Sequence, residues 1–186
     1  MSVQMLKRLF TTEDYHRMID NDILSENDLV ELLGGEIVQM SPVGSRHAAC
    51  VNRLNKVLLS RLGTRAIVSV QNPIHLSAQS EPQPDVAVLR MRSDYYAESH
   101  AEPQDVLLII EVADTSTSLD REVKLPLYAL ANITEVWLID LGEECVRAYT
   151  KPSLHGYAEI RQLWRDDVLS PQVYPDLKIS LIDILG

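Results

Sequence analysis

Asp105-Val106-Leu107-Leu108-Ile109-Ile110-Glu111-Val112 is the stretch that decides the fold. Its apolar character is nearly continuous rather than alternating, so the strand it forms is buried on both faces, as in a sheet covered by helices. Upstream, Pro84-Asp85-Val86-Ala87-Val88-Leu89 sets a proline before a β-branched run, which suits the first residues of a second strand. Downstream, Ser116 to Leu130 reads as a helix with Asp120, Lys124 and Tyr128 four apart on one face. Pro126 must kink that helix or mark an irregular first turn. Val136-Trp137-Leu138-Ile139-Asp140 is the next strand. Glu144 to Tyr149 and Tyr157 to Leu163 follow as antiparallel strands, separated by turns around Leu141-Gly142-Glu143 and Pro152 to Gly156.

Towards the N-terminus, Ala48, Val51, Leu54, Leu58 and Leu62 recur at three- and four-residue steps. They predict a helix over Ser45 to Leu62, ended by a left-handed cap at Gly63. Ala66 to Val70 and Pro73 to Leu76 are short extended segments. Leu29 to Leu33 and Glu36 to Met40 flank Gly34-Gly35 and predict a β-hairpin. A hydroxyl followed by acids at Thr11-Thr12-Glu13-Asp14 starts a short helix near 12 to 20. The order points to an α/β fold: a mixed sheet flanked by helices, with an N-terminal hairpin and C-terminal antiparallel strands.

The chain has 186 residues, 46% of them hydrophobic, enough for one core, and residues 1–186 are expected to form a single domain. Neither a signal peptide nor a membrane span is legible, so a cytoplasmic protein is expected. Cys50 and Cys145 lack the spacing of a disulfide framework or zinc knuckle and are expected to be reduced core residues. Acidic side chains outnumber basic ones 27 to 17, a net charge of −10, opposite in sign to the usual footprint of a nucleic-acid binder. A metal-dependent hydrolase also concentrates carboxylates, and a local basic surface or a bound cation can offset an acidic average.

Asp85 opens one apolar strand and Glu111 nearly closes another. Burying unpaired carboxylates costs several kcal/mol, and two of them at the ends of adjacent strands repel unless a cation or proton lies between. A hard divalent ion supplies the compensation: Mg²⁺, with Mn²⁺ as a substitute, takes one or two carboxylates plus waters and phosphate oxygens. Lys124, on the helix after the second strand, could return its ammonium to the carboxylates through the βα crossover. There it would orient water or offset charge on phosphoryl oxygens. The competing reading of Asp120 and Lys124 is an i,i+4 salt bridge on a solvated helix face.

Val30-Glu31-Leu32-Leu33-Gly34-Gly35-Glu36-Ile37-Val38-Gln39-Met40-Ser41-Pro42, His47, Gln83-Pro84-Asp85-Val86, Ile110-Glu111-Val112-Ala113-Asp114, Asp120-Arg121, Lys124, Tyr128 and Glu135-Val136-Trp137-Leu138-Ile139-Asp140 occur in that order. Together they resemble the Uma-type restriction endonuclease family of the PD-(D/E)XK superfamily, over nearly the whole chain. The resemblance implies a restriction-endonuclease-like domain hydrolysing DNA phosphodiester bonds. Asp85 and Glu111 would be its metal ligands, joined by the Val112 carbonyl. Ala113 stands where the superfamily pattern has lysine, and the resemblance assigns that role to Lys124. It also implies that Glu36 and His47 lie near the cleft, Glu36 as an acceptor or further ligand, His47 to contact a phosphate or relay a proton; the competing readings are a solvent-facing hairpin residue for Glu36 and a polar first-turn residue for His47.

The rival readings are a catalytically silent dimeric binding or regulatory module on the same fold, and a phosphodiesterase acting on RNA or a small substrate. Paired cutting of a duplex is easiest for a two-fold homodimer. Gln71 could orient a ligand. The Arg90 to Pro103 loop, with Arg92 and Tyr95-Tyr96, could contact substrate or be a solvated loop. Trp137 and Trp164 are expected in the core or at a subunit contact, and His75, His100 and His155 show no ligand spacing.

Overall fold

The computed structural model describes residues 7–25, 27–114 and 119–186. Helix α1 (Thr12–Asp20) is held at its start by a capping box in which Thr11 and Asp14 satisfy each other's backbone amides. Strands β1 (Val30–Leu33) and β2 (Glu36–Gln39) pair antiparallel across Gly34-Gly35. Both glycines have positive φ, +57° and +81°, the geometry a two-residue hairpin turn requires. Helix α2 spans Ser45–Leu62 as its apolar spacing predicts. Gly63 ends it with φ 55° but ψ −121°, outside the left-handed helical region expected of the cap.

A six-stranded sheet follows, formed by β3 (Ala66–Val70), β4 (Val86–Arg90), β5 (Val106–Ala113), β6 (Glu135–Asp140), β7 (Cys145–Ser153) and β8 (Gly156–Trp164), paired in that order. Every pair is antiparallel except β5–β6, which is parallel and needs the helical crossover between them. All eight residues of β5 are buried. Val106, Ile109 and Ala113 face one core with Leu125 and Tyr128; Leu108, Ile110 and Val112 face the other with Leu54 and Leu58 of α2. Two cores explain why the strand reads apolar at both parities. Both cysteines are free and buried.

The crossover departs from the continuous α-helix expected over Ser116 to Leu130. Its first residues lie outside the described residues. Asp120–Lys124 forms a π-helical turn, followed by helix α3 (Leu125–Leu130) with Pro126 in its first turn. The wide turn closes with the Leu125 amide donating to the Asp120 carbonyl, and Pro126, lacking an N–H, starts the tighter α-helix. Pro73 to Leu76 is not a strand: Ile74 makes one isolated bridge to Ala101, and Ser77 pairs with Ser80. Beyond the expected elements, β9 (Val168–Leu169) pairs with β10 (Ile179–Ser180), and α4 (Ile182–Leu185) packs on α2. Trp137 is fully buried, whereas Trp164 on β8 is exposed. No helix among the described residues is long and apolar enough to cross a membrane.

Candidate active site

β4 and β5 pair with Val86 opposite Ile110, so Asp85, one residue before β4, arrives beside Glu111. The Asp85 amide donates to Glu111 Oε2 (3.2 Å), and the Val112 amide donates to Asp85 Oδ2 (2.8 Å). Because a strand residue's N–H and C=O leave on the same edge, the Val112 carbonyl faces the same side as the Asp85 carboxylate. His47, in the first turn of α2, places Nε2 2.9 Å from Asp85 Oδ2, while its buried Nδ1 has no hydrogen-bond partner. Gln71 Nε2 makes a long contact of 3.5 Å with Asp85 Oδ1.

Glu111 and Ala113 are two apart on β5 and share the face that α3 covers. Lys124 and Tyr128 descend onto that face: the Tyr128 hydroxyl donates to Glu111 Oε1 at 2.6 Å, and Lys124 Nζ lies 3.4 Å from the same oxygen. Lys124 also reaches Glu31 Oε2 at 3.2 Å and donates to the Gln83 carbonyl at 3.5 Å. With Lys124 6% exposed and Asp120 9%, the solvated-face salt bridge does not describe them. The ammonium is delivered from the helix to the face of position 113, where Ala113 takes up little volume.

Glu31 is a member of the cluster that sequence reasoning did not single out. It lies on β1, is 1% exposed, and its Oε2 also accepts from the Gln83 amide at 3.0 Å. The signal was present: Glu31 interrupts the apolar run Val30-Glu31-Leu32-Leu33 as Glu111 interrupts its own. Glu36, by contrast, is not near the cleft as the resemblance implied. Its carboxylate is exposed on the other arm of the hairpin and pairs with Lys7 Nζ at 2.9 Å. Hairpin register explains the exchange: Glu31 stands opposite Val38 within the paired arms, while Glu36 sits at the turn opposite Leu33.

Burial pushes the Glu111 carboxyl up to about 8 against the pull of Lys124, with Asp120 and Asp85 adding to the rise. Burial likewise raises Asp120 to about 6 despite Lys124. For Lys124, burial opposes the charged form, but Glu111, Glu31 and Asp120 outweigh it and hold the ammonium above its usual range. The hydrogen bond to Asp85 raises His47. Glu31, Asp85, Glu111 and Asp120 thus share one region with Lys124 and His47, where burial favours the protonated forms of Glu111 and Asp120. All-oxygen donors at the ends of two adjacent strands fit Mg²⁺ or Mn²⁺.

In the Arg90 to Pro103 loop, Arg92 is engaged by Asp94 at 2.9 and 2.5 Å, and its guanidinium lies 4.4 Å from the centre of the Tyr96 ring. Its charge is spent within the loop.

The mixed sheet between helices, with acids at the ends of its central strands, is the restriction-endonuclease-like nuclease architecture. A putative nuclease belonging to DUF820 from Anabaena variabilis, known from a crystal structure, is similar over 95% of this chain and 97% of its own, with a TM-score of 0.75 at 16% identity. The model of the Uma2 family, described as "Putative restriction endonuclease", matches residues 12–182, and the chain belongs to that family. No curated protein matches it.

Proposed function

We propose that the chain is an Mg²⁺-dependent endonuclease, with Mn²⁺ as a substitute ion, that hydrolyses DNA phosphodiester bonds at the Asp85–Glu111–Lys124 cluster. One observation carries the reading: buried carboxylates at the ends of adjacent strands converge with a buried ammonium, and burial raises Glu111 to about 8, so its ionised form would gain from a divalent ion. Asp85, Glu111 and the Val112 carbonyl would hold the ion. Once bound, it would polarise a phosphoryl oxygen and acidify a water. Lys124, kept as an ammonium by Glu31 and Glu111, cannot take a proton from that water; it orients the water and offsets charge on the phosphoryl group. His47, with Nε2 on Asp85, holds that carboxylate in place; its Nδ1 is buried and not open to a phosphate oxygen.

Support for a phosphate-bearing substrate is local to the start of α2. Residues 41–66 carry Arg46, Arg53, Lys56, Arg61 and Arg65 and no Asp or Glu, but Arg46 pairs with Asp114, Arg65 with Asp176, and Arg53 and Arg61 donate to backbone carbonyls. This segment includes α2, whose N-terminus carries His47 to Asp85, and a helix N-terminus favours phosphate. The reading takes 1–186 as one domain and the active form as a homodimer. β8, at the end of the sheet order, exposes Ile160 and Trp164 as a surface for it.

Nicking of supercoiled DNA tests the assignment. Activity is expected with Mg²⁺ or Mn²⁺, lost on chelation, and lost in Asp85→Asn and in Glu111→Gln. Cleavage surviving in both variants overturns the site. Cleavage of RNA or a small phosphodiester in place of DNA overturns the substrate, and metal binding without any cleavage favours the silent module. Sedimentation of the purified chain reads the dimer.

A further inference from the structure

A second cluster lies away from Asp85 and Glu111. His16 of α1, Glu81 of the segment leading to β4, and His100 of the Arg90 to Pro103 loop each offer a ligand atom, all within 4.8 Å of one another. They open onto a cavity of about 450 Å³, which His75, Tyr96 and Glu102 also line. No local pattern marks this cluster, because its histidines come from separate segments with no regular spacing.

Glu81 is the informative member. It is 3% exposed, and its backbone is fixed by the Glu81 amide donating to the Leu32 carbonyl at 2.8 Å. One carboxylate oxygen, Oε1, lies 2.8 Å from His16 Nε2. The other, Oε2, is buried without any hydrogen-bond partner, with His75 Nδ1 at 3.5 Å. A buried carboxylate oxygen without a donor is costly, and imidazoles gathered around it lower that cost if a cation sits among them. The His16 and His100 rings stand 6.3 Å apart, centre to centre, at 62°, so they meet edge to face and do not stack against each other.

We propose that His16, Glu81 and His100 bind a zinc-class divalent transition ion, with the fourth position open to water from the cavity. Two imidazoles and one carboxylate are a donor set for Zn²⁺ or its neighbours in the first transition row. Mg²⁺, which prefers an all-oxygen shell, is served by the other site. His75, beside the second Glu81 oxygen, positions the carboxylate. The ion ties together α1, the segment before β4 and the Arg90 to Pro103 loop. The two sites are connected by Glu81-Pro82-Gln83-Pro84-Asp85, whose prolines restrict its backbone and whose ends stand at most about 14 Å apart.

Cobalt substitution tests the site. The chelator-treated full chain is titrated with Co²⁺, whose visible absorption is strong in four- or five-coordinate sites and weak in octahedral ones. The expected result is one strongly absorbing Co²⁺ per chain, displaced by Zn²⁺ but not by excess Mg²⁺. The signal persists in an Asp85→Asn/Glu111→Gln double variant and is lost in His16→Ala/His100→Ala. Both histidines are solvent-accessible, so this variant retains its fold by circular dichroism, and Glu81→Gln gives the same loss if it also folds. Absence of the strong band, its persistence in the histidine variant, or its loss in the Asp85/Glu111 variant overturns the proposal.

Discussion

Lys124 Nζ lies 3.4 Å from Glu111 Oε1, although the lysine belongs to the crossover and not to the strand that carries the glutamate. Ala113 and Glu111 share one face of β5, and Leu125 and Tyr128 of the crossover pack on that face, so Lys124 reaches Glu111 from the side of the sheet to which position 113 points.

Removing that ammonium should affect stability and activity separately. In Lys124→Ala, Glu31 and Glu111 lose their shared buried cation, and the metal-free protein should lose about 3–5 kcal/mol at neutral pH, the scale for breaking a buried pair. DNA nicking should fall by about a hundredfold or more, with Mg²⁺ affinity changed far less, since the carboxylates remain. Urea unfolding and calorimetry with the nicking assay check both; undiminished nicking would remove Lys124 from the mechanism.

Glu31 and Glu36 give a paired comparison on one hairpin. Glu31→Gln weakens the hold on Lys124 and should reduce nicking by about ten- to a hundredfold, comparable with losing a supporting partner of a metal site. Glu36→Gln removes a surface pair with Lys7 and should leave nicking unchanged and stability within about 0.5 kcal/mol. The reverse order of effects would contradict the hairpin register seen here.

The same hairpin shows what sequence could and could not yield. β5, α2 and the Gly34-Gly35 turn were legible because local chemistry decides them: apolar parity, helical spacing and two glycines. Asp85 and Glu111 were legible as carboxylates out of place in apolar runs, and Glu31 carried the same mark. Which arm of the hairpin faces the cleft depends on how the whole hairpin docks through the Leu32–Glu81 bridge, a long-range contact that no local pattern encodes. The π-helical turn was legible only as the irregularity that Pro126 imposes, without its type. The His16–Glu81–His100 cluster was hidden because three segments meet only in space.

Docking of the hairpin rests on Gly35. A Cβ there would meet Leu9 Cβ at 2.6 Å and the Phe10 carbonyl at 3.2 Å, at a φ of +81°. At Gly34 a Cβ meets nothing within 4 Å, and only the φ of +57° is unfavourable. Gly34→Ala should therefore cost about 1 kcal/mol and Gly35→Ala clearly more, because backbone must move as well. Since Glu31 rides on this hairpin, Gly35→Ala should also lower nicking, whereas Gly34→Asn should be nearly silent in both assays. Equal losses at the two positions would show that the contact with Leu9 and Phe10 does not hold the hairpin.

Protons and metal compete for the buried carboxylates, and the sign of each effect follows from the shifts. Glu111 moves from 4.5 when exposed to about 8 in the fold, Asp120 from 3.8 to about 6, and His47 rises above 6.5. In each case the folded metal-free chain binds protons more tightly than the unfolded one. The stabilisation from these groups is complete below their unfolded values and is lost as pH rises through their folded values. With chelator present, the urea midpoint should therefore fall between about pH 5 and about pH 8. Glu111→Gln cannot ionise and should flatten the upper part of that fall. On the proposed mechanism Mg²⁺ would bind the deprotonated carboxylates, so its stabilising effect should grow across the same interval and offset the decline. A metal-free midpoint that rises with pH, or an Mg²⁺ effect that shrinks, would mean that Glu111 is ionised in the resting protein and that Lys124 alone balances its charge.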